Sequence, residues 1–300
     1  RLGSGSDLRV VEVAWPSVLE FMAPAKRLAV LGPQPLLRHA PATSRLELAQ
    51  EGLELLRSVG PPLHVAFAIG GSRCGKSTAG NALLFGDDSS GSGSDGSALG
   101  FETGGSFEPM TTGVDVAVRL MPGGGALVVG DCEGAFHVCG SSQSARGFGA
   151  LGVVAYHLST SLLHVSMGSI DERDIEALGY LAAAVGAVAP PAGGADGEER
   201  IAQEPIVPDR APPSLNLLVN GARFDLGDAV ARRLLRPPED GGDDGRWCSR
   251  RAIATSFTGS PSLDALPACE HAAYWPKVAA LRQRILSAAP LASADGEHSS

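Results

Sequence analysis

Lysine is scarce in this sequence. Among 300 residues there are 3 lysines, Lys26, Lys76 and Lys277, against 21 arginines, and the net charge is −9. No basic block offsets that charge, which argues against a nucleic-acid binder held by phosphate contacts. Cysteine is also sparse: Cys74, Cys132, Cys139, Cys248 and Cys269 make an odd set without a CxxC pair. That pattern argues against a disulfide framework or a zinc site, and a reducing compartment is the expected one. No apolar run reaches the ~18 residues that span a bilayer. Gly147–Leu163 is interrupted by His157, and Leu178–Pro190 is short. No signal-peptide pattern, internal repeat or metal spacing among His64, His137, His157, His164 and His271 is visible.

The rest of the composition is that of a soluble globular chain, 44% hydrophobic and 19% charged, long enough to bury a large core. Leu8–Trp15 alternates as a short strand, and Pro33–Pro41 reads as loop. Arg45–Ser58 reads as a short extended piece followed by an amphipathic helix that Pro61 and Pro62 stop. Leu63–Ile69 is a continuous apolar run suited to a strand buried on both faces. Lys76–Phe85 reads as helix, Val114–Leu120 as strand, Pro122–Gly125 as turn and Ala126–Val129 as a second buried strand. Ser169 and Glu172 are spaced as a capping box for a helix running to about Val188. Ser214–Val219 is a strand and Val278–Ser287 a last helix. The stretches Asp87–Gly100, Pro190–Pro213 and Pro237–Gly245 read as solvated loops. Strands that alternate with helices predict an α/β fold with a mainly parallel sheet, whose ligands bind at the carboxyl ends of the strands.

Two motifs fall at such strand ends. Gly70-Gly71-Ser72-Arg73-Cys74-Gly75-Lys76-Ser77 fits G-x-x-x-x-G-K-[ST], between a buried strand and a helix. Glycines let the backbone wrap phosphate oxygens, and the helix adds its positive N-terminal end. Lys76 is placed to reach the β- and γ-phosphates, and the Ser77 hydroxyl to bind Mg²⁺. In Ala126–Gly134, "ALVVGDCEG", Asp131 supplies the acid that holds Mg²⁺ through water, and Gly134 lets a backbone N–H approach the γ-phosphate.

Four stretches then resemble the GTPase domain of guanylate-binding proteins and atlastins, in the dynamin-like superfamily. They are the helix, strand and P-loop of residues 46–84, the segment "GFETGGSFEPMTTGVDVAVRL", the "LVVGDCEG" motif, and "HLSTSLLHVSMGSIDERDIEAL". The order and spacing agree from Arg45 to about Ala187. The resemblance implies a P-loop NTPase fold with a GTPase domain over 45–287; residues 1–44 read as an N-terminal extension and the start of the domain, and 288–300 as a disordered tail. It implies GTP as substrate, Mg²⁺ as cofactor, a nucleotide-driven homodimer, and a cytoplasmic protein with scope for peripheral association with an intracellular membrane through regions outside this sequence.

Residue by residue, the resemblance implies the following roles. Arg73 matches an internal arginine finger. Thr111 matches the switch threonine that closes on Mg²⁺ and γ-phosphate, with Thr112 beside it as an alternative register. Glu133 matches the acid that organises the attacking water. Thr78 follows the P-loop pair Lys76 and Ser77 on the nucleotide side. Two positions depart from the family. Pro109 stands where a switch serine is usual, which leaves that contact missing or supplied by Ser106. The base-reading strand runs "LNLLVNGARFDLGD", where Arg223 falls at the place of an aspartate. Asp225 or Asp228 in a shifted loop, with Asn220 contributing, then reads the base. Two further readings stand beside the GTPase: a catalytically weak nucleotide-binding interaction module, and an ATP-dependent phosphotransferase with Arg232, Arg233 and Arg236 in a lid.

Overall fold

The computed structural model describes residues 30–40, 45–86, 100–103, 113–134, 142–188, 211–223 and 245–291, with residues 230, 233, 235 and 236. Its strands are β1 (Val30–His39), β2 (Leu46–Leu48), β3 (Leu63–Gly70), β4 (Val114–Leu120), β5 (Ala126–Cys132), β6 (Ser161–Met167), β7 (Ser214–Asn220) and β8 (Thr258–Leu266). Its helices are α1 (Gln50–Arg57), α2 (Lys76–Phe85), α3 (Ser142–Leu158), α4 (Glu172–Val188), α5 (Gly245–Ser256) and α6 (Tyr274–Ser287). The strands form one sheet in the order β2-β1-β4-β5-β3-β6-β7-β8. From β5 to β8 every pairing is parallel; β4 and β1 join the other side antiparallel, and β2 completes that edge.

Alternation within the buried strands feeds two cores. Val65, Phe67 and Ile69 of β3 face a layer that includes Leu151, Ile175, Leu178 and Ile253 from α3, α4 and α5. Ala66 and Ala68 face Ala79, Leu83, Val278 and Leu281 from α2 and α6. The period of two on β3 thus places helices on both faces, as a parallel strand requires. Small Ala66 and Ala68 let α2 lie close to the strand that carries its N-terminal loop. The far end of α2 is capped by arginines: Arg282 donates to the carbonyls of Ala82 and Leu83 at 2.8 Å, and Arg119 to that of Leu84 at 2.8 Å. These cations meet the negative end of the helix dipole, while its positive end is left toward the Gly-rich loop.

Several expectations change. Pro33–Pro41 is not loop, because β1 spans Val30–His39. Register shifts between Leu31 and Gln34 and between Pro35 and Leu37 absorb both prolines. The capping box of α4 is shifted by two residues. Asp171 accepts from the N–H groups of Arg173 and Asp174, and the Asp174 carboxylate accepts from the N–H of Asp171. A carboxylate at the first position serves as well as the Ser169 hydroxyl. Helix α5 and strand β8 are additions to the sequence reading. Leu8–Trp15, residues 87–99 and 190–210, and Arg232 lie outside the described residues. Among the described residues no helix is long and apolar enough to cross a membrane.

Candidate functional site

The carboxyl ends of β3, β5, β6, β7 and β8 lie along one rim of the sheet. Residues 71–75 leave β3 there and turn into α2, which begins at Lys76. Two residues of the turn hold positive φ: Gly75 at 87° and Arg73 at 60°. An arginine in that region costs about 1–2 kcal/mol, so the loop is held by its surroundings rather than by local preference. Part of that hold comes from Asn220, the last residue of β7. Its Nδ2 donates to the Cys74 carbonyl at 3.4 Å, and a Cβ at Gly75 would lie 2.0 Å from that nitrogen. Only glycine fits there.

The polar groups of the loop converge. Lys76, 7% exposed, donates from Nζ to the Gly71 carbonyl at 2.7 Å, closing a ring over its own loop. The Cys74 thiol donates to the same carbonyl at 3.1 Å. Ser77 Oγ donates to Asp131 Oδ2 at 2.7 Å, and Asp131 is 1% exposed. The register explains this meeting: Ala68 of β3 lies beside Asp131 of β5, so the end of β5 stands next to the start of α2. Burial, reinforced by the Asp131 charge and opposed by Lys76, pushes the Cys132 thiol well above its ordinary range. Burial raises Cys74 likewise, against the pull of Lys76. Both sulfurs are therefore packing thiols at neutral pH.

The segment after β5 closes over the loop. A Cβ on Gly134 would lie 2.5 Å from Ser72 Cα, so backbone meets backbone at that point. Glu133 turns the other way, toward the antiparallel edge. Its N–H donates to the Gly113 carbonyl at 2.8 Å, and its Oε2 accepts from the Gly113 N–H at 3.1 Å. His39 Nε2 stands 3.3 Å from the same Oε2.

Among the residues singled out from the sequence, Gly70 to Ser77, Asp131, Glu133 and Gly134 gather at this rim. Arg73 and Thr78 are exposed, at the outer side of the loop and first turn. Arg223 is exposed too, three residues beyond the end of β7. Thr111, Thr112, Ser106, Pro109, Asp225 and Asp228 lie outside the described residues. Sequence reasoning missed His39. It belongs to a stretch dense in proline, and no local pattern ties it to a glutamate so distant in sequence.

A hydroxyl and a carboxylate, both hard oxygen donors, share one point at Ser77 and Asp131. That donor set fits Mg²⁺, which takes one or two protein oxygens and completes its shell from phosphates and water. Among the described residues no three His, Cys, Asp or Glu side chains gather as metal ligands, and such a site needs none.

No protein-family model matches the chain, and no curated protein matches it. Among solved structures the chain is similar to a crystal structure of a mutation variant of SsGBP, at 11% identity and a TM-score of 0.38. That alignment covers 80% of this chain and 60% of the other, so the chain spans less than two thirds of that protein's length. A likeness at this score is weak and carries no argument about the site. The assignment as an α/β, P-loop NTPase-like fold rests on the sheet order and on the β3–loop–α2 unit.

Proposed function

We propose that this chain is a Mg²⁺-dependent P-loop nucleoside triphosphate hydrolase acting on GTP, with a GTPase domain over residues 45–287 that β1 joins from residues 30–39. The observation that carries the reading is the Ser77–Asp131 contact of 2.7 Å directly below the Lys76 loop. It brings the hydroxyl and the acid of two separate motifs to one point. Guanine as the base comes from the resemblance to guanylate-binding proteins.

On this reading the phosphates lie in the loop of residues 70–75, and a phosphate oxygen replaces the Gly71 carbonyl as acceptor for Lys76. Bound Mg²⁺ would neutralise charge between the β- and γ-phosphates, with Ser77 as ligand, Asp131 holding it through water and Thr111 closing over it. The exposed guanidinium of Arg73 stabilises charge that develops on the transferring phosphoryl group. Glu133, turned toward Gly113 and His39, would help organise the attacking water through a chain of hydrogen bonds. Dimerisation would bring a second copy over the exposed rim and fix Arg73 inward.

A weakly hydrolysing binding module is the second reading. It is favoured by the base-reading end of β7, where residues 220–223 are Asn, Gly, Ala and Arg and offer no carboxylate. Binding of GTP and ATP to the purified protein with Mg²⁺, together with phosphate release, tests both. The expected result is GTP-selective binding with release that Lys76→Ala lowers by about 10²-fold or more. Release equal to that of Lys76→Ala sinks the hydrolase reading, and preference for ATP sinks guanine as the base.

A further inference from the structure

The antiparallel edge of the sheet reaches the candidate site through one side chain. Strand β4 runs antiparallel to β5, and β1 antiparallel to β4. Two reversals bring the carboxyl end of β1 back to the rim where the parallel strands end. Leu37 lies opposite Val114, and Val114 opposite Cys132. Next to this row Arg38 pairs with Asp115 at 2.5 Å, which fixes the last turn of β1 against the first residues of β4. His39 follows, and its Nε2 lies 3.3 Å from Glu133 Oε2.

We propose that His39 is the positioning residue for Glu133, holding its carboxylate against the Gly113 N–H. The geometry is specific. One oxygen, Oε2, faces both the His39 ring nitrogen at 3.3 Å and the Gly113 N–H at 3.1 Å. The backbones of Glu133 and Gly113 are also joined, at 2.8 Å. Gly113 directly follows Thr111 and Thr112. Gly113 is thus tied to Glu133 through backbone and side chain, and His39 meets the same carboxylate oxygen. Both side chains are partly covered, at 33% and 25% exposure, so the contact is neither a fully solvated pair nor a core pair. A fully solvated contact would be too weak to orient a group, whereas a partly desolvated polar contact orients it better.

The kinetic part of this proposal rests on the hydrolase reading; the structural part does not. The test compares His39→Ala and His39→Gln with the unmodified chain. Gln keeps an N–H donor of similar reach, so it controls for folding. First, hydrogen exchange of the Gly113 amide is followed in nucleotide-free protein. His39→Ala is expected to speed it about tenfold, and His39→Gln to restore it. Second, with GTP and Mg²⁺, His39→Ala is expected to lower kcat about tenfold with KM within about twofold, again restored by Gln. Unchanged Gly113 exchange in His39→Ala overturns the placement. Unchanged kcat in a chain that otherwise hydrolyses GTP overturns the positioning role. A Gln variant that folds yet behaves as Ala in both assays overturns the polar contact of residue 39 as the cause. An unmodified chain that releases no phosphate removes the hydrolase reading, and the exchange experiment then decides the proposal alone.

Discussion

On the proposed reading, the phosphate end of the site, at β3 and β5, differs in kind from the base end, at β7. At β3 and β5 three side chains have placed partners: Lys76 on the Gly71 carbonyl, Ser77 on Asp131, Glu133 on Gly113. At β7 the strand ends on Asn220 and turns through Gly221, and Asn220 is occupied with the phosphate loop rather than turned outward to a base. A phosphate is recognised largely by backbone, whose path is set by glycine spacing and by the strand and helix on either side. A base is recognised by side chains on a loop, and loop side chains are free to vary. The two ends of one ligand are thus specified by different parts of the chain.

The largest effect that separates the two ends is expected at Arg73. Arg73→Ala removes a guanidinium without touching the Lys76 or Ser77 contacts. Phosphate release is expected to fall about 10²- to 10³-fold, or ~3–4 kcal/mol in the transition state, while triphosphate affinity changes by less than about threefold. Single-turnover kinetics with separately measured binding read both quantities. Equal losses in binding and turnover would assign Arg73 to ground-state binding and erase its distinction from Lys76.

Next is Gly134→Ala. Its new Cβ would meet Ser72 Cα at 2.5 Å, a backbone collision that no rotamer change relieves. An overpacking penalty of about 1–3 kcal/mol follows, seen as lower denaturant stability or as weaker triphosphate binding if the loop shifts instead. A neutral result would show that the closure of residues 133–134 over the loop is loose.

Asn220→Ala addresses the base end directly. It removes one hydrogen bond to the Cys74 carbonyl, worth about 1 kcal/mol. If Asn220 only braces the phosphate loop, affinity for GTP and ATP falls by the same factor, roughly fivefold. A loss confined to GTP would make Asn220 a base reader and collapse the comparison between the ends.

That comparison also accounts for what was legible. The β3–loop–α2 unit and Asp131 could be read because each rests on local spacing: an apolar run, glycines at fixed offsets, an acid after a buried strand. Two outer strands, β1 and β8, could not. Strand β1 contains Pro33 and Pro35, and β8 contains Gly259 and Pro261. Propensity rejects both segments, yet bulges accommodate the first and an edge position the second. His39 shares that fate, since its partner is fixed by two strand reversals and not by sequence distance. The shift of the α4 cap from Ser169 to Asp171 is a smaller case of competition between adjacent polar residues.

The smallest expected effect lies between the two ends, on β6. His164, buried at 3% exposure, meets Asp174 of α4 at 2.9 Å through Nε2. Burial raises the Asp174 carboxyl, but the hydrogen bond from His164 and that from the Asp171 N–H outweigh it, so the carboxyl sits below its ordinary range. A depressed carboxylate contributes stability above its unfolded value of about 3.9, and that contribution is lost as pH falls through the lower folded value. Asp174→Asn keeps the shape and removes the charge. Because the carboxylate is partly solvated, the loss near neutral pH is expected to be only about 1 kcal/mol. The loss should shrink as pH falls from about 4 through the lower folded value, where the native carboxylate takes up its proton. Urea unfolding at pH 7 and again near pH 3 measures the difference. A penalty that stays constant with pH would assign the effect to the helix cap alone. A penalty that also weakens triphosphate binding would mean that β6 couples the two ends instead of separating them.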